Sequence, residues 1–109
     1  MKTASAKNKG RLLQQWVRDQ ILSRFPSLTI DDVRSTSMGA GGEDIQLSKA
    51  ARDLFPYTVE CESNARIAVY KFYEQAQAHG KGEPVVVIKQ NRSKPLVIVD
   101  AEYFFKELS

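Results

Sequence analysis

Apolar residues recur at helical spacing over residues 10–24, where Leu12, Leu13, Trp16, Val17 and Ile21 gather on one side. Phe25-Pro26 ends that helix, because proline has no amide hydrogen and restricts the residue before it. Ile30 and Val33 suggest a first strand within residues 28–36, which Asp31-Asp32 weakens, and Ser37-Met38-Gly39-Ala40-Gly41-Gly42 reads as a turn. Residues 44–47 form a short strand pattern, with Ile45 and Leu47 on one face and Asp44 and Gln46 on the other. Ser48 is a candidate N-cap for a helix of one or two turns that Pro56 stops. Alternation is strict over residues 57–62, where Tyr57, Val59 and Cys61 share one face and Thr58, Glu60 and Glu62 the other. Ser63 or Asn64 can cap a helix running to about Ala78 with Val69, Phe72, Tyr73 and Ala76 as its buried stripe, closed by His79-Gly80-Lys81-Gly82. The continuous apolar runs 84–88 and 95–99 predict strands buried on both faces, joined as a hairpin through residues 89–94. A short helix from Asp100 or Ala101 to Leu108 ends the pattern. The order predicts an α/β sandwich: a central mixed β-sheet flanked by helices.

Size sharpens this to one domain. The chain has 109 residues, enough for a single core, with a flexible basic tail expected over residues 1–9 and the domain over residues 10–109. No apolar run approaches the roughly 20 residues that span a bilayer, so no membrane partner is expected. The basic N-terminus is followed by no apolar signal-peptide core. One cysteine, Cys61, excludes an internal disulfide and fits a reducing cytoplasm. With one histidine and one cysteine, a zinc site of the Cys/His type is excluded, and any metal must be held mainly by oxygen.

Charge then directs attention to a polyanionic partner. The net charge is +3, but its placement matters more: Lys2, Lys7, Lys9, Arg11 and Arg18 all precede the first acidic residue, Asp19. A second basic group, Lys89, Arg92 and Lys94, occupies the expected hairpin turn. A solvated tail and an ordinary polar turn are the plain alternative for either cluster. Against this basic background, Asp44, Glu60 and Glu62 can meet on one face of a small sheet. Clustered carboxylates repel one another unless a hard divalent cation neutralises them, and Mg²⁺ binds one or two carboxylates while keeping several waters. The alternative is that Glu60 faces solvent and Asp44 only shapes its turn.

Gly42-Glu43-Asp44, Glu60-Cys61-Glu62 and a following helix bearing Gln75 resemble the PD-(D/E)XK nuclease superfamily, within it the small Holliday-junction-resolvase-like members, phage-encoded ones included. The likeness begins at Lys9-Gly10, includes Ser37-Met38-Gly39, and extends to about Val99. It implies a restriction-endonuclease-like core and Mg²⁺-dependent DNA cleavage, with Mn²⁺ as a substitute. It also implies a homodimer that nicks two strands, in the cytoplasm of a cell or of a phage host. By the same resemblance Asp44 and Glu60 are metal ligands and the Cys61 carbonyl is a third. Gln75 is a candidate catalytic residue reaching the site from its helix, with a surface glutamine as the alternative.

Two departures are visible. Glu62 stands where the motif has a lysine that orients water; some restriction enzymes of the superfamily carry glutamate there, where it can ligate metal or take a proton. In the first helix, Gln14 or Gln15 stands near a position where resolvases often carry glutamate. Lys71 is a candidate spatial replacement for the lysine. Glu43 is expected beside the site or in solvent, His79 at a helix C-terminus where the dipole favours it, and Trp16 and Phe72 in the core. The Cys61 side chain is expected to be buried and inert. Backbone amides at Ser37, Gly39 and Gly41 can approach a phosphate, or the segment is simply a turn. The expected function is a Mg²⁺-dependent DNA endonuclease acting on branched DNA. Asp44, Glu60, Glu62 and Gln75 form its site, and Lys7, Lys9, Arg11, Ser37, Arg92 and Lys94 contact DNA. The alternatives are a nuclease-fold protein that binds DNA without cutting, and an RNA-directed or protein-only interaction module.

Overall fold

The computed structural model describes residues 2–36, 42–63 and 68–107, with side chains from residue 7 onward. The first helix, α1 (Lys2–Arg24), starts at Lys2 rather than near Gly10, so the expected basic tail is helical. Leu13, Val17 and Ile21, each four residues from the next, supply its buried stripe. Phe25 N–H closes the last turn onto the Ile21 carbonyl at 3.0 Å before Pro26 diverts the chain.

Strands β1 (Val33–Ser35) and β2 (Ile45–Leu47) pair antiparallel, with Val33 opposite Leu47 and Ser35 opposite Ile45. Ser48 caps α2 (Lys49–Leu54) as expected, its hydroxyl accepting the Ala51 N–H at 3.1 Å. The same hydroxyl donates to Asp32 at 2.8 Å, tying the start of α2 to the loop before β1.

Strand β3 (Tyr57–Glu62) matches its expected span, and it pairs in parallel with β4 (Glu83–Ile88). Parallel neighbours need a crossover, here provided by α3 (Val69–His79). Residues 64–67, which include the candidate cap Asn64, lie outside the described residues; the position before α3 is Ala68, which offers no side-chain cap. Gly80 closes α3 in the left-handed conformation (φ 65°) that costs glycine little. Strand β5 (Leu96–Val99) returns antiparallel to β4, and α4 (Ala101–Glu107) follows, its first turn capped by Asp100 accepting the Tyr103 N–H at 2.9 Å.

The fold is therefore α/β, as expected, but the strands form two sheets rather than one: a mixed sheet in the order β3–β4–β5 and the antiparallel pair β1–β2. A further difference concerns β5. Leu96 and Val97 are 54% and 63% exposed, because β5 is the edge of its sheet, whereas Val85, Val86 and Val87 on central β4 are buried as expected. One face of the mixed sheet, with Val59, Cys61, Val85 and Val87, joins the α1 stripe and Val33 and Ile45 in the main core. The opposite face carries Thr58, Glu60, Glu62 and Val86, and α3 packs on β3 and β4 with Ala76 fully buried. Among the described residues, no helix is long and apolar enough to cross a membrane.

Candidate functional site

The break between the two sheets falls at Asp44. Thr36 N–H reaches the Asp44 carbonyl at 2.8 Å, continuing the β1–β2 ladder, and Asp44 N–H reaches the Val59 carbonyl at 3.3 Å on the open edge of β3. The next donor along that edge, Cys61 N–H, is taken by the Asp44 side chain (Oδ2) at 2.7 Å instead of by a backbone carbonyl. A carboxylate thus replaces the ladder at the point where the sheets diverge. The residue just before it is clamped: buried Glu43 accepts from Arg52 Nη2 of α2 through both carboxylate oxygens, at 3.1 and 3.3 Å. The Thr36 hydroxyl donates to the Glu43 carbonyl. Gly42 precedes it at φ 92°, a backbone state that favours glycine. Glu43 is therefore buried rather than in solvent, and it anchors the turn that presents Asp44, the adjoining position of its two expected places.

Electrostatics show that the three acids are neighbours. Burial, then the charges of Asp44 and Glu62, push the Glu60 carboxyl up to about 7. Burial also raises Asp44, opposed by the Cys61 hydrogen bond and by electrostatic interaction with His79 on α3. The thiol of Cys61 is raised by burial and by all three acids; the side chain is buried and unreactive, as expected. Its carbonyl shares the open β3 edge with its N–H, since both groups of one strand residue point the same way, and so lies beside Asp44.

The donor set suits a hard cation. Asp44 keeps Oδ1 beyond its hydrogen bond to Cys61, Glu60 adds a half-buried carboxylate, and the Cys61 carbonyl completes an all-oxygen group. No group of three or more His, Cys, Asp or Glu side chains arranged to hold an ion is present among the described residues. A magnesium site needs only one or two carboxylates with waters, so the fit rests on two side chains and one carbonyl.

Other expected residues fall in varied places. Gln75 is half-buried on α3, the helix that covers the Glu60 face. Lys71, the candidate spatial replacement for a lysine, lies exposed on the same helix. Gln14, not Gln15, is the interior amide of α1: it is 4% exposed, and its Oε1 finds no hydrogen-bond partner among the described residues. Ser37, Gly39 and Gly41 lie outside the described residues. Phe72 is half-buried, but Trp16 is 44% exposed rather than core.

The two basic clusters meet. Lys9 Nζ on α1 donates to Asn91 Oδ1 in the β4–β5 turn at 2.9 Å, and Lys9, Lys89 and Arg92 line a common notch with Ser63, the residue after Glu62. Lys7, Arg11 and Lys94 are exposed but do not line it. Sequence spacing carries no sign of His79 acting on Asp44 or of the Glu43–Arg52 clamp, because each depends on contacts between different elements. The chain matches no known protein family, no curated protein and no solved structure.

Proposed function

We propose that this chain is a Mg²⁺-dependent DNA endonuclease acting on branched DNA, built on a restriction-endonuclease-like core, and working as a homodimer in the cytoplasm. The observation that carries the reading is the Asp44 carboxylate seated on the open edge of β3 beside Glu60 and Glu62. Asp44, Glu60 and the Cys61 carbonyl would hold Mg²⁺ or Mn²⁺. Bound there, the ion supplies polarisation of the scissile phosphate and activation of water. Hydrolysis joins a water oxygen to phosphorus, transfers that water's proton to a base and breaks the bond to the leaving oxygen, which takes up a proton from solvent water. Glu62, on the same strand face, is the carboxylate assigned to that proton, and Gln75 orients the phosphate or the water from α3. Lys7, Lys9, Arg11, Arg92 and Lys94 hold neighbouring phosphates, and the Ser37 backbone amide is assigned to another.

A second reading is that the protein binds DNA without cutting it. Its support is Glu62, a carboxylate where the resembled motif has a lysine, with Lys71 of α3 exposed to solvent. Four-way junction DNA incubated with Mg²⁺ or Mn²⁺ separates the two. The nuclease reading expects nicked product, with Glu62→Gln losing it. Binding without cleavage, by the parent and by Glu62→Lys alike, removes the enzyme and leaves the DNA-binding protein. A gain of cleavage in Glu62→Lys over the parent marks Glu62 as disabling.

A further inference from the structure

We propose that the notch between α1 and the β4–β5 turn binds one unpaired nucleotide of a DNA strand, with its base on Trp16 and its phosphate among Lys9, Lys89 and Arg92. The notch has a volume of about 360 Å³, at the small end of the roughly 300–1000 Å³ typical of ligand sites. Its lining is divided by chemistry. Leu12, Trp16 and Pro95 form an apolar wall, while Lys9, Lys89 and Arg92 supply three cations; among the described residues, no acidic residue lines it. A phosphate alone has no use for an exposed indole, and an apolar ligand has none for three cations. A nucleotide uses both, because every base has a face that stacks on an aromatic ring and every linkage carries a negative charge. In duplex DNA that face is covered by neighbouring bases, so the notch selects a nucleotide freed from its stack.

Its position supports the assignment. Ser63 and Lys89 follow directly on β3 and β4, so the notch sits at the carboxyl ends of the two parallel strands, where open α/β sheets bind ligands. The Lys9–Asn91 hydrogen bond closes it across residues far apart in sequence. Arg92 holds a left-handed backbone (φ 63°), uncommon for a residue with a side chain, at the tip that supplies one of the cations. This inference rests on the DNA part of the reading above and not on the metal or on cleavage.

Trp16 is the sole tryptophan of the chain, so its fluorescence reports on the notch directly. The test titrates the full chain, without divalent cation, with an oligothymidylate, a blunt duplex of equal length and polyglutamate. The oligothymidylate is expected to quench Trp16 and to bind about tenfold tighter than the duplex at equal salt, a gap of one stacked base. Trp16→Leu should lose about that factor. Because Trp16 also borders the apolar groove beside α4, Arg92→Gly in the exposed turn provides a variant that keeps the fold. Combined with Lys9→Ala, it should flatten the logarithmic salt dependence by about 1.4, since two cations no longer neutralise phosphates of the single strand. Unchanged fluorescence with the oligothymidylate, equal affinity for the duplex, or equal quenching by polyglutamate overturns the proposal. Failure to cut junction DNA leaves these results standing, and cleavage that persists without quenching removes the notch alone.

Discussion

The acidic edge of β3 and the basic notch at its end are adjacent along the chain but built in opposite ways. The edge is made of short-range geometry: Asp44 caps a strand N–H, Glu43 is locked by Arg52, and the walls behind are the fully buried Ile45, Val33 and Val59. The notch is made of long, exposed side chains brought together by one hydrogen bond between Lys9 and Asn91. Buried carboxylates held at fixed positions are costly without a partner, whereas exposed cations cost little and wait in solvent. The edge is thus fixed by its own contacts before any ligand arrives, as the proposed hard ion would require, whereas the notch keeps the freedom that the proposed polyanion would have to order.

The largest effect should come from the edge. Asp44→Ala removes both a proposed ligand and the acceptor for Cys61 N–H, and junction cleavage should fall at least about 100-fold, measured in single-turnover assays. Lys94→Ala, on the basic side, should leave the rate at saturating DNA within about twofold; equal losses would erase the contrast. Next in size is packing: Ile45→Ala should destabilise the chain by about 2–5 kcal/mol in urea unfolding. Arg52→Ala should cost about 3 kcal/mol by stranding buried Glu43, less what solvent recovers at the partly exposed guanidinium.

A smaller, signed effect comes from pH. Between the ordinary glutamate value of 4.5 and the folded value of about 7, native Glu60 keeps a proton that the unfolded chain has released. Stability of the metal-free protein should therefore fall as pH rises through that window, and Asp44, also raised, acts in the same direction. Thermal melts from pH 5 to 8 should show this slope, and Glu60→Gln should flatten it. The smallest effect belongs to the turn. Arg92→Gly relieves a left-handed backbone and should raise stability by about 0.5 kcal/mol once the added freedom of glycine in the unfolded chain is subtracted.

Local pattern carried much of the fold. The two-residue period of β3, the Ser48 cap and the Gly80 closure could each be read from neighbours within a few positions, because each is decided by backbone geometry there. Glu60 and Glu62 were legible as a pair for the same reason, since alternation assigns the strand face, whereas the place of Asp44 beside them depends on its contacts with Val59 and Cys61. What spacing could not show depends on partners distant in sequence. At the split of the sheet, the Asp44 side chain, just before β2, takes the Cys61 N–H of β3. The exposure of Leu96 and Val97 follows from the edge position of β5, which an apolar run does not encode. The helical N-terminus is a third case: a sequence with no apolar repeat carries little periodic signal, although lysine and alanine favour helix. Trp16 looked like core because its spacing matches the stripe, yet it sits at the stripe's margin between two grooves.

Calorimetric titration of the full chain with Mn²⁺ near pH 8, where Glu60 is ionised, tests the convergence of Asp44 and Glu60 most directly. One saturable site per chain is predicted, weakened at least about tenfold by Glu60→Gln and lost in Asp44→Asn. Absence of saturable heat in the parent, or undiminished binding by a chain carrying both substitutions, would contradict that convergence.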